Sequence, residues 1–443
     1  MQIDRRGLLL GSLTGVAAFA TPLAAFGLDA AQFGVHPGAP DDQTIRLQRS
    51  IDQAARTRVP LMLAPGHYRA GDLKLLAGAQ LAGVRGATRI VLTRGPSLLS
   101  AEGADSVALT GLTLDGGGRP LPQNCGLVHL VAGTAIRIAD CTILGAGSNG
   151  IALEHCDGEV SRDTITAAAD NALFCLDNRG LIITANSIRG SGNGGIRVWQ
   201  SVKRHDGSLV ADNSIDHNAA RAGGIGENGN AINVFGAADV VVRNNNIRTA
   251  AFSATRGNAA SNIRGIGNNC AEFDETAMYA EFRFGGAIFA DNVIDGAENG
   301  IAVTNFDHGG HLGIVRGNIV RNVRPRRPDT PPEGGGIGIA PKADTTVTRN
   351  VVENLPNAGI RAGWGPYLRN VTVSGNVVRN AGYGIPVSVV SGAGAATITG
   401  NLLEGAKRGA IVGMEWNKAM TGDLARDGAV RYPRLTFANN QVR

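Results

Sequence analysis

Two stretches in the second half of this 443-residue chain gather the side chains that acid–base chemistry uses. Glu272, Asp274, Glu275, Tyr279, Glu281 and Arg283 stand within twelve residues. Soon after, Asn305-Phe306-Asp307-His308-Gly309-Gly310-His311 sets a carboxylate and two imidazoles beside open backbone. β-Elimination at a uronate sugar, or the related C5 epimerisation, needs a cation for the sugar carboxylate and a base at the adjacent carbon. Elimination also needs an acid at the leaving oxygen. Arg197 is the candidate cation, with Tyr279, His308 or His311 as acid or base. Glycoside hydrolysis instead needs two carboxylates flanking the bond. Asp307 with Glu281 or Asp177 could serve, but no glycosidase motif accompanies them. Asp307, His308 and His311 could also ligate a metal, yet i, i+3 spacing in a glycine-rich loop is weak evidence. No cofactor is expected, and calcium has no motif behind it. Read blandly, the same residues are polar loops.

Such groups need a scaffold, and the sequence repeats one. From about residue 105 a phrase Asn-x-[Ile/Val/Leu] returns, followed by Gly-Ile-x-Val or a close relative. The first half includes Asn186-Ser187-Ile188, Asn213-Ser214-Ile215, Asn245-Asn246-Ile247 and Asn292-Val293-Ile294, and continues to Asn401-Leu402-Leu403. Cys141-Thr142-Ile143 and Asp163-Thr164-Ile165 replace the leading asparagine. Successive copies lie 22, 23, 27, 32, 47, 26, 32, 26 and 25 residues apart. Within each phrase the apolar spacing is two, so these are strands. Two or three short strands per coil make an all-β, single-stranded, right-handed parallel β-helix solenoid; a leucine-rich repeat would need leucine at fixed offsets. Asparagine suits the turns because it tolerates a left-handed backbone and bonds neighbouring amides, and stacked copies can form a ladder.

Side chains alternate in and out along a strand. Aligning the Gly-Ile phrases puts Ala152, Arg197, Asn233, Ala302, Gly338 and Arg361 on one outward row, and Glu154, Trp199, Phe235 and Thr304 on a second. Just beyond lie His155, Gln200 and Asn305, with Asp177 and Trp364 in comparable places. Trp199 and Trp364 offer flat surfaces for sugar rings; Asn233 and Asn305 offer directional hydrogen bonds; Arg197 and Arg361 offer cationic forks. Arg197 could equally be a solvated charge. Long insertions at about 217–230, 249–285, 321–335 and 415–435 would overhang this strip, since insertions on one face of a solenoid commonly build its binding surface.

A solenoid needs closed ends. Residues 41–59 are expected to form a short capping helix, with Asp41 and Asp42 at its start and Ile45, Ile51, Ala54 and Ala55 on an apolar stripe. A strand broken by Pro65-Gly66 follows. The order Asp41-Asp42, Ile51-Asp52, Ala54-Ala55, then Leu63-Ala64-Pro65-Gly66-His67-Tyr68 resembles the opening of pectate-lyase-like β-helix proteins. With the Asn/Gly-Ile repeats and the N-terminal arginine pair, the chain resembles a family of twin-arginine-translocated repeat proteins of undefined activity. That resemblance implies the fold and leaves the reaction open.

The N-terminus reads as an address. Asp4-Arg5-Arg6 leads into Gly7-Leu8-Leu9-Leu10, an apolar stretch to Phe19-Ala20, and Pro22-Leu23-Ala24-Ala25. The stretch is too short to span a bilayer stably, and paired arginines ahead of it resemble a twin-arginine export signal. The neighbouring aromatic and the downstream lysine of that signal are missing, which keeps a Sec signal as runner-up. Residues 1–27 are therefore assigned to the signal, 28–104 to the cap and first coils, and 105–443 to the repeats. Export by the twin-arginine machinery to the periplasm or medium is expected.

Composition agrees. Glycine, at 63 residues, supplies turns, while the 43% apolar share excludes disorder. No later run is apolar enough to cross a membrane. The net charge of +5 lacks the concentrated basic patch of a nucleic-acid binder. The five cysteines, Cys125, Cys141, Cys156, Cys175 and Cys270, show no zinc pairing. Cys141, Cys156 and Cys175 fall at inward or turn positions, so small core residues are the default reading, with one bridge permitted in an oxidising compartment. The expected partner is a polysaccharide or oligosaccharide. The leading reading is a uronate lyase or epimerase-like protein; the alternatives are a non-catalytic glycan-binding or structural envelope protein, and a glycoside hydrolase.

Overall fold

The computed structural model describes residues 27–224, 226–304, 310–325, 334–428 and 431–443. The signal reading therefore falls almost wholly outside the described residues. So do Asn305, Asp307 and His308.

Each coil has three strands. Face 1 carries strands such as Ile136–Ala139, Gly158–Ser161 and Ile182–Thr184, stacked into a 16-stranded parallel sheet. Face 2 follows with Thr142–Leu144, Thr164–Thr166 and Ser187–Arg189, and face 3 with Asn149–Glu154, Asn171–Leu176 and Gly194–His205. Among the described residues one strand pair is antiparallel: Ile411–Glu415 with Lys418–Asp423, a hairpin closing the C-terminal end of face 3. That hairpin and the short helix Leu424–Asp427 are what the expected 415–435 insertion builds.

Inward positions line up in columns. On face 3, Ile151, Leu173, Ile196 and Ile232 are successive register partners, and all are fully buried. A one-residue slip would turn every such side chain to solvent, so these columns fix the register. The capping helix is Thr44–Thr57, packing Leu47, Ile51, Ala54 and Ala55 onto the first coils. Ile45 is 63% exposed, so the stripe expected there runs through Leu47 instead.

The repeated asparagines form a buried ladder at the turn between faces 1 and 2. Nδ2 of Asn186 donates to Oδ1 of Asn213 (3.0 Å), Asn213 to Asn245 (3.0 Å), and Asn245 to Asn268 (2.9 Å). The chain of bonds continues through Asn292, Asn318, Asn350, Asn376 and Asn401 to Asn440. Each Nδ2 also reaches back to a face 1 carbonyl, as from Asn186 to Val160 (3.0 Å). The left-handed residue expected at the asparagine is the one before it, for instance Ala185 (φ 57°) or Asp212 (φ 59°). The side chain is then free to turn inward and satisfy amides that the corner would otherwise orphan.

Asn268 exposes an error in the repeat count. The 47-residue gap between Asn245 and Asn292 conceals a complete coil: Thr255–Asn258 on face 3, Ile263–Ile266 on face 1, then Asn268. The strand Asn269–Glu281 follows across faces 2 and 3. Residues 249–285 are thus mostly solenoid wall. Thr255-Arg256-Gly257-Asn258 replaces the Ile-x-Val pattern, and Cys270 stands where Ile or Val recurs. The interior beside the small Gly257 is filled by Ile263, and beside Gly265 by Met278 and Phe289, all fully buried; a Cβ at Gly265 would meet Met278 Cε at 2.6 Å.

Cys141, Cys156, Cys175 and Cys270 are buried free thiols and Cys125 is half-buried. Burial pushes the Cys141 thiol up to about 12, which keeps it inert. The four buried cysteines are core residues, as expected; Cys125 lies outside the core.

Candidate functional site

The two outward rows of face 3 run over consecutive coils. By register, the first is Ala152, Phe174, Arg197, Asn233, Arg256, Tyr279, Ala302 and Ala340. Ala340, not Gly338, stands in this row, because the Gly336-Ile337 phrase is offset by two from its neighbours. The second row is Glu154, Leu176, Trp199, Phe235, Asn258, Glu281 and Thr304. Tyr279 and Glu281 therefore belong to the wall itself rather than to an overhanging loop.

These rows floor a cleft of about 600 Å³ lined by Trp199, Glu227, Asn233, Phe235, Arg256, Asn258, Tyr279, Glu281 and Phe282. Four of the side chains expected from sequence, Trp199, Asn233, Tyr279 and Glu281, come together in it. Trp199 packs against Phe235 with ring centroids 5.7 Å apart, and its Nε1–H donates to Asn233 Oδ1 (3.3 Å). Asn233 Nδ2 in turn donates to the carbonyls of Gly226 (3.1 Å) and Glu227 (3.2 Å). The loop of residues 219–224 and 226–229 is thereby tied over one end of the cleft.

Arg197 does not present an open guanidinium. It is 8% exposed, donates from Nη2 to the Glu227 carbonyl (3.0 Å) and to Asn228 Oδ1, and lies 4.7 Å over the Trp199 ring. It positions the loop and the tryptophan, a role its outward register alone did not reveal.

The central group is Arg256, which sequence reasoning missed because its coil breaks the Gly-Ile phrase. Its Nε donates to Glu281 Oε1 (2.6 Å) and its Nη1 to Glu275 Oε2 (2.9 Å), while its guanidinium lies 5.0 Å over the Tyr279 ring. Asn258 Nδ2 also donates to Glu281 (3.1 Å). Glu281 is 1% exposed. A buried carboxylate of this kind is tolerated only when paired and hydrogen-bonded. Gly226 (φ 139°) lets the loop backbone lie on the Arg256 guanidinium, where a Cβ would sit 2.3 Å from Cζ. Burial, then the Glu281 charge, pushes the Tyr279 phenol up to about 12; its hydroxyl bonds with Thr304. At neutral pH it is a hydrogen-bond donor, not a base.

Arg361 and Trp364 lie further along the same face in a separate cluster. Arg361 Nη1 donates to Asn417 Oδ1 (3.1 Å), and its guanidinium stands 5.3 Å over Trp364. Trp364 also packs edge-on against Trp416 at 5.4 Å. Lys342 Nζ lies 5.2 Å from the Trp364 ring centre, and burial, with Arg361 nearby, lowers its amine to about 7. From Arg256 to Arg361 is four coil steps, about 19 Å at about 4.8 Å per strand. His311 opens the exposed strand His311–Arg316 on face 1 and does not line the cleft. Asp177 accepts from Ser201 Oγ (2.8 Å) and pairs with Arg204 (2.7 Å), outside the cleft lining. Among the described residues no group of His, Cys, Asp and Glu could hold a metal ion, and no helix is long and apolar enough to cross a membrane.

No curated protein sequence matches the chain. Solved structures with the same fold at low identity include two that cover most of the chain. The N-terminal fragment of bacteriophage Phi29 gene product 12 superposes with a TM-score of 0.52 at 14% identity, covering 95% of this chain and 71% of that one. The catalytic unit of a GH87 α-1,3-glucanase from Streptomyces thermodiastaticus strain HF3-3 gives 0.55 at 14% identity, covering 89% and 70%. The family described as "Right handed beta helix region" matches residues 126–225 and 201–368, together more than half of the sequence. Three-stranded coils, parallel ladders and this match agree: the chain belongs to the right-handed β-helix family.

Proposed function

We propose that the protein binds a polysaccharide along face 3 and that the Trp199–Glu281 cleft is where a sugar is held. One observation carries this reading: the cleft is walled by Trp199, Phe235, Tyr279 and Phe282 and interrupted by a few fixed polar groups. Apolar platforms with sparse, oriented donors are what a small-molecule site requires. Aromatic rings supply area for a sugar face, and the Tyr279 hydroxyl supplies a directional contact.

For the reaction, the lyase or epimerase reading draws on Tyr279 as proton donor, with Asp307 and His308 as further candidates. The hydrolase reading draws on Glu275 and Glu281, the two carboxylates flanking Arg256. One guanidinium holds both by hydrogen bonds, Glu281 at 2.6 Å and Glu275 at 2.9 Å, whereas a hydrolase needs its two carboxylates flanking the scissile bond. Glycan binding is therefore the reading the cleft supports best. Export through the twin-arginine pathway, read from Arg5-Arg6, would put the protein where such polymers occur.

The test is a polysaccharide panel that includes polygalacturonate, alginate and α-1,3-glucan, the last taken from the name of the glucanase neighbour. Affinity electrophoresis reads binding; reducing-end and unsaturated-uronate assays read cleavage. Retardation by at least one polymer is expected, and retardation by none contradicts the reading.

A further inference from the structure

We propose that the cleft selects an uncharged glycan over a polyuronate, an inference that rests on the glycan reading above. A uronate site needs a cation that can turn to the sugar carboxylate. The arginines at this cleft build its walls instead. Arg256 is 6% exposed and divides its donors between Glu281 (2.6 Å) and Glu275 (2.9 Å), with its face on Tyr279 and the Gly226 backbone. Arg197 holds the Glu227 carbonyl and Asn228 and caps Trp199.

The charge count points the same way. Three carboxylates, Glu227, Glu275 and Glu281, stand with two guanidinium groups, Arg197 and Arg256, for a local net charge of −1. A sugar carboxylate entering here would meet that excess at short range, in a partly desolvated cleft where repulsion is stronger than in water. Beyond Phe282, the exposed Lys203 donates from Nζ to the Arg283 carbonyl. Both cations there face solvent, where salt screens them. What the cleft offers a ligand is apolar area from four aromatic side chains, together with neutral donors. That surface suits a hydroxyl-bearing ring without a formal charge.

The experiment uses one polymer in two forms, polygalacturonate and the galactan made from it by carboxyl reduction. Affinity electrophoresis of the intact protein reads both, at low and high salt. Carboxyl reduction should strengthen retention, on the order of tenfold. Affinity for the reduced polymer should change less than about twofold between about 50 and about 500 mM salt, since no ion pair is involved. Tighter binding to the native polyuronate, lost on carboxyl reduction and weakened by salt, overturns the proposal while leaving the glycan reading standing. Binding to neither form, nor to any neutral glucan or xylan, defeats both. Equal binding of the two forms also overturns it, because selection is the claim.

Discussion

Asp163 stands at the head of the asparagine ladder, and replacing it with asparagine should stabilise the protein in a pH-dependent way. Its Oδ1 accepts from the Cys141 amide (2.7 Å), and its own amide donates to Asn186 Oδ1 (2.9 Å), as in every rung below. Its Oδ2, buried and without a partner, takes the place of the Nδ2 that the asparagines use to donate. By register it faces acceptors, the Asn186 Oδ1 and the Ile138 carbonyl, so only a protonated carboxyl satisfies it. Burial is the main cause, and it raises the acid from 3.8 to about 7. Above pH 7 the folded chain must bury the charge. The gap between the two values corresponds to about 4 kcal/mol at about 1.4 kcal/mol per pH unit, an upper limit because local relaxation reduces it. Between 3.8 and about 7 the folded state binds the proton and the unfolded state does not, so this contribution falls as pH rises. Asp163→Asn restores a donor of the same shape at every pH. In urea unfolding from about pH 4 to about pH 9, the mutant's advantage should grow from near zero towards about 4 kcal/mol. An advantage independent of pH, or one that shrinks as pH rises, would refute the reasoning.

Removing a rung should cost more than trimming a surface amide. Asn292→Ala deletes bonds to Asn318 Oδ1 (2.9 Å) and to the Gly265 carbonyl (2.9 Å) and strands Asn268. It should destabilise by at least about 2 kcal/mol, at about 1–3 kcal/mol per buried group left unsatisfied, with faster hydrogen exchange at the neighbouring corners. Ile196→Ala empties a fully buried site in the face 3 column and should cost about 2–5 kcal/mol by the same unfolding measurement. Arg5→Lys with Arg6→Lys should leave full-length precursor in the cytoplasm on fractionation if export follows the twin-arginine route. Normal export of that variant, together with its loss under a Sec block, would reassign the signal.

The fold was legible because a solenoid writes its geometry into its spacing. The period of two placed strands, the Asn and Gly-Ile phrases placed two of the three faces, and the buried columns of Ile, Val and Leu follow from them. What the phrases hid was the coil where they fail. Thr255, Gly257 and Cys270 are small or polar where branched aliphatics recur, so a coil looked like an insertion, and Arg256 was lost with it. The outward rows correctly grouped Trp199 with Phe235 and Arg197 with Asn233. Row position cannot tell a side chain open to ligand from one folded under a loop. Arg197 is the second kind, because Glu227 and Asn228 of the overlying loop offer it a carbonyl and a side-chain amide oxygen. The asparagine turns gave a similar lesson. The residue type marks the corner, but the left-handed backbone belongs to its predecessor, and only the hydrogen bonds show which job the side chain does.

The cleft's role is tested most directly by the affinity of wild-type protein, Trp199→Ala and the control Arg137→Ala for the polysaccharide that retards the wild type most. Arg137 is exposed on face 1, away from the cleft. Losing the Trp199 platform should weaken binding by at least about tenfold, about 1.4 kcal/mol, with the fold retained by circular dichroism, while Arg137→Ala binds as wild type. Equal affinity of all three proteins would contradict the assignment of glycan binding to this cleft.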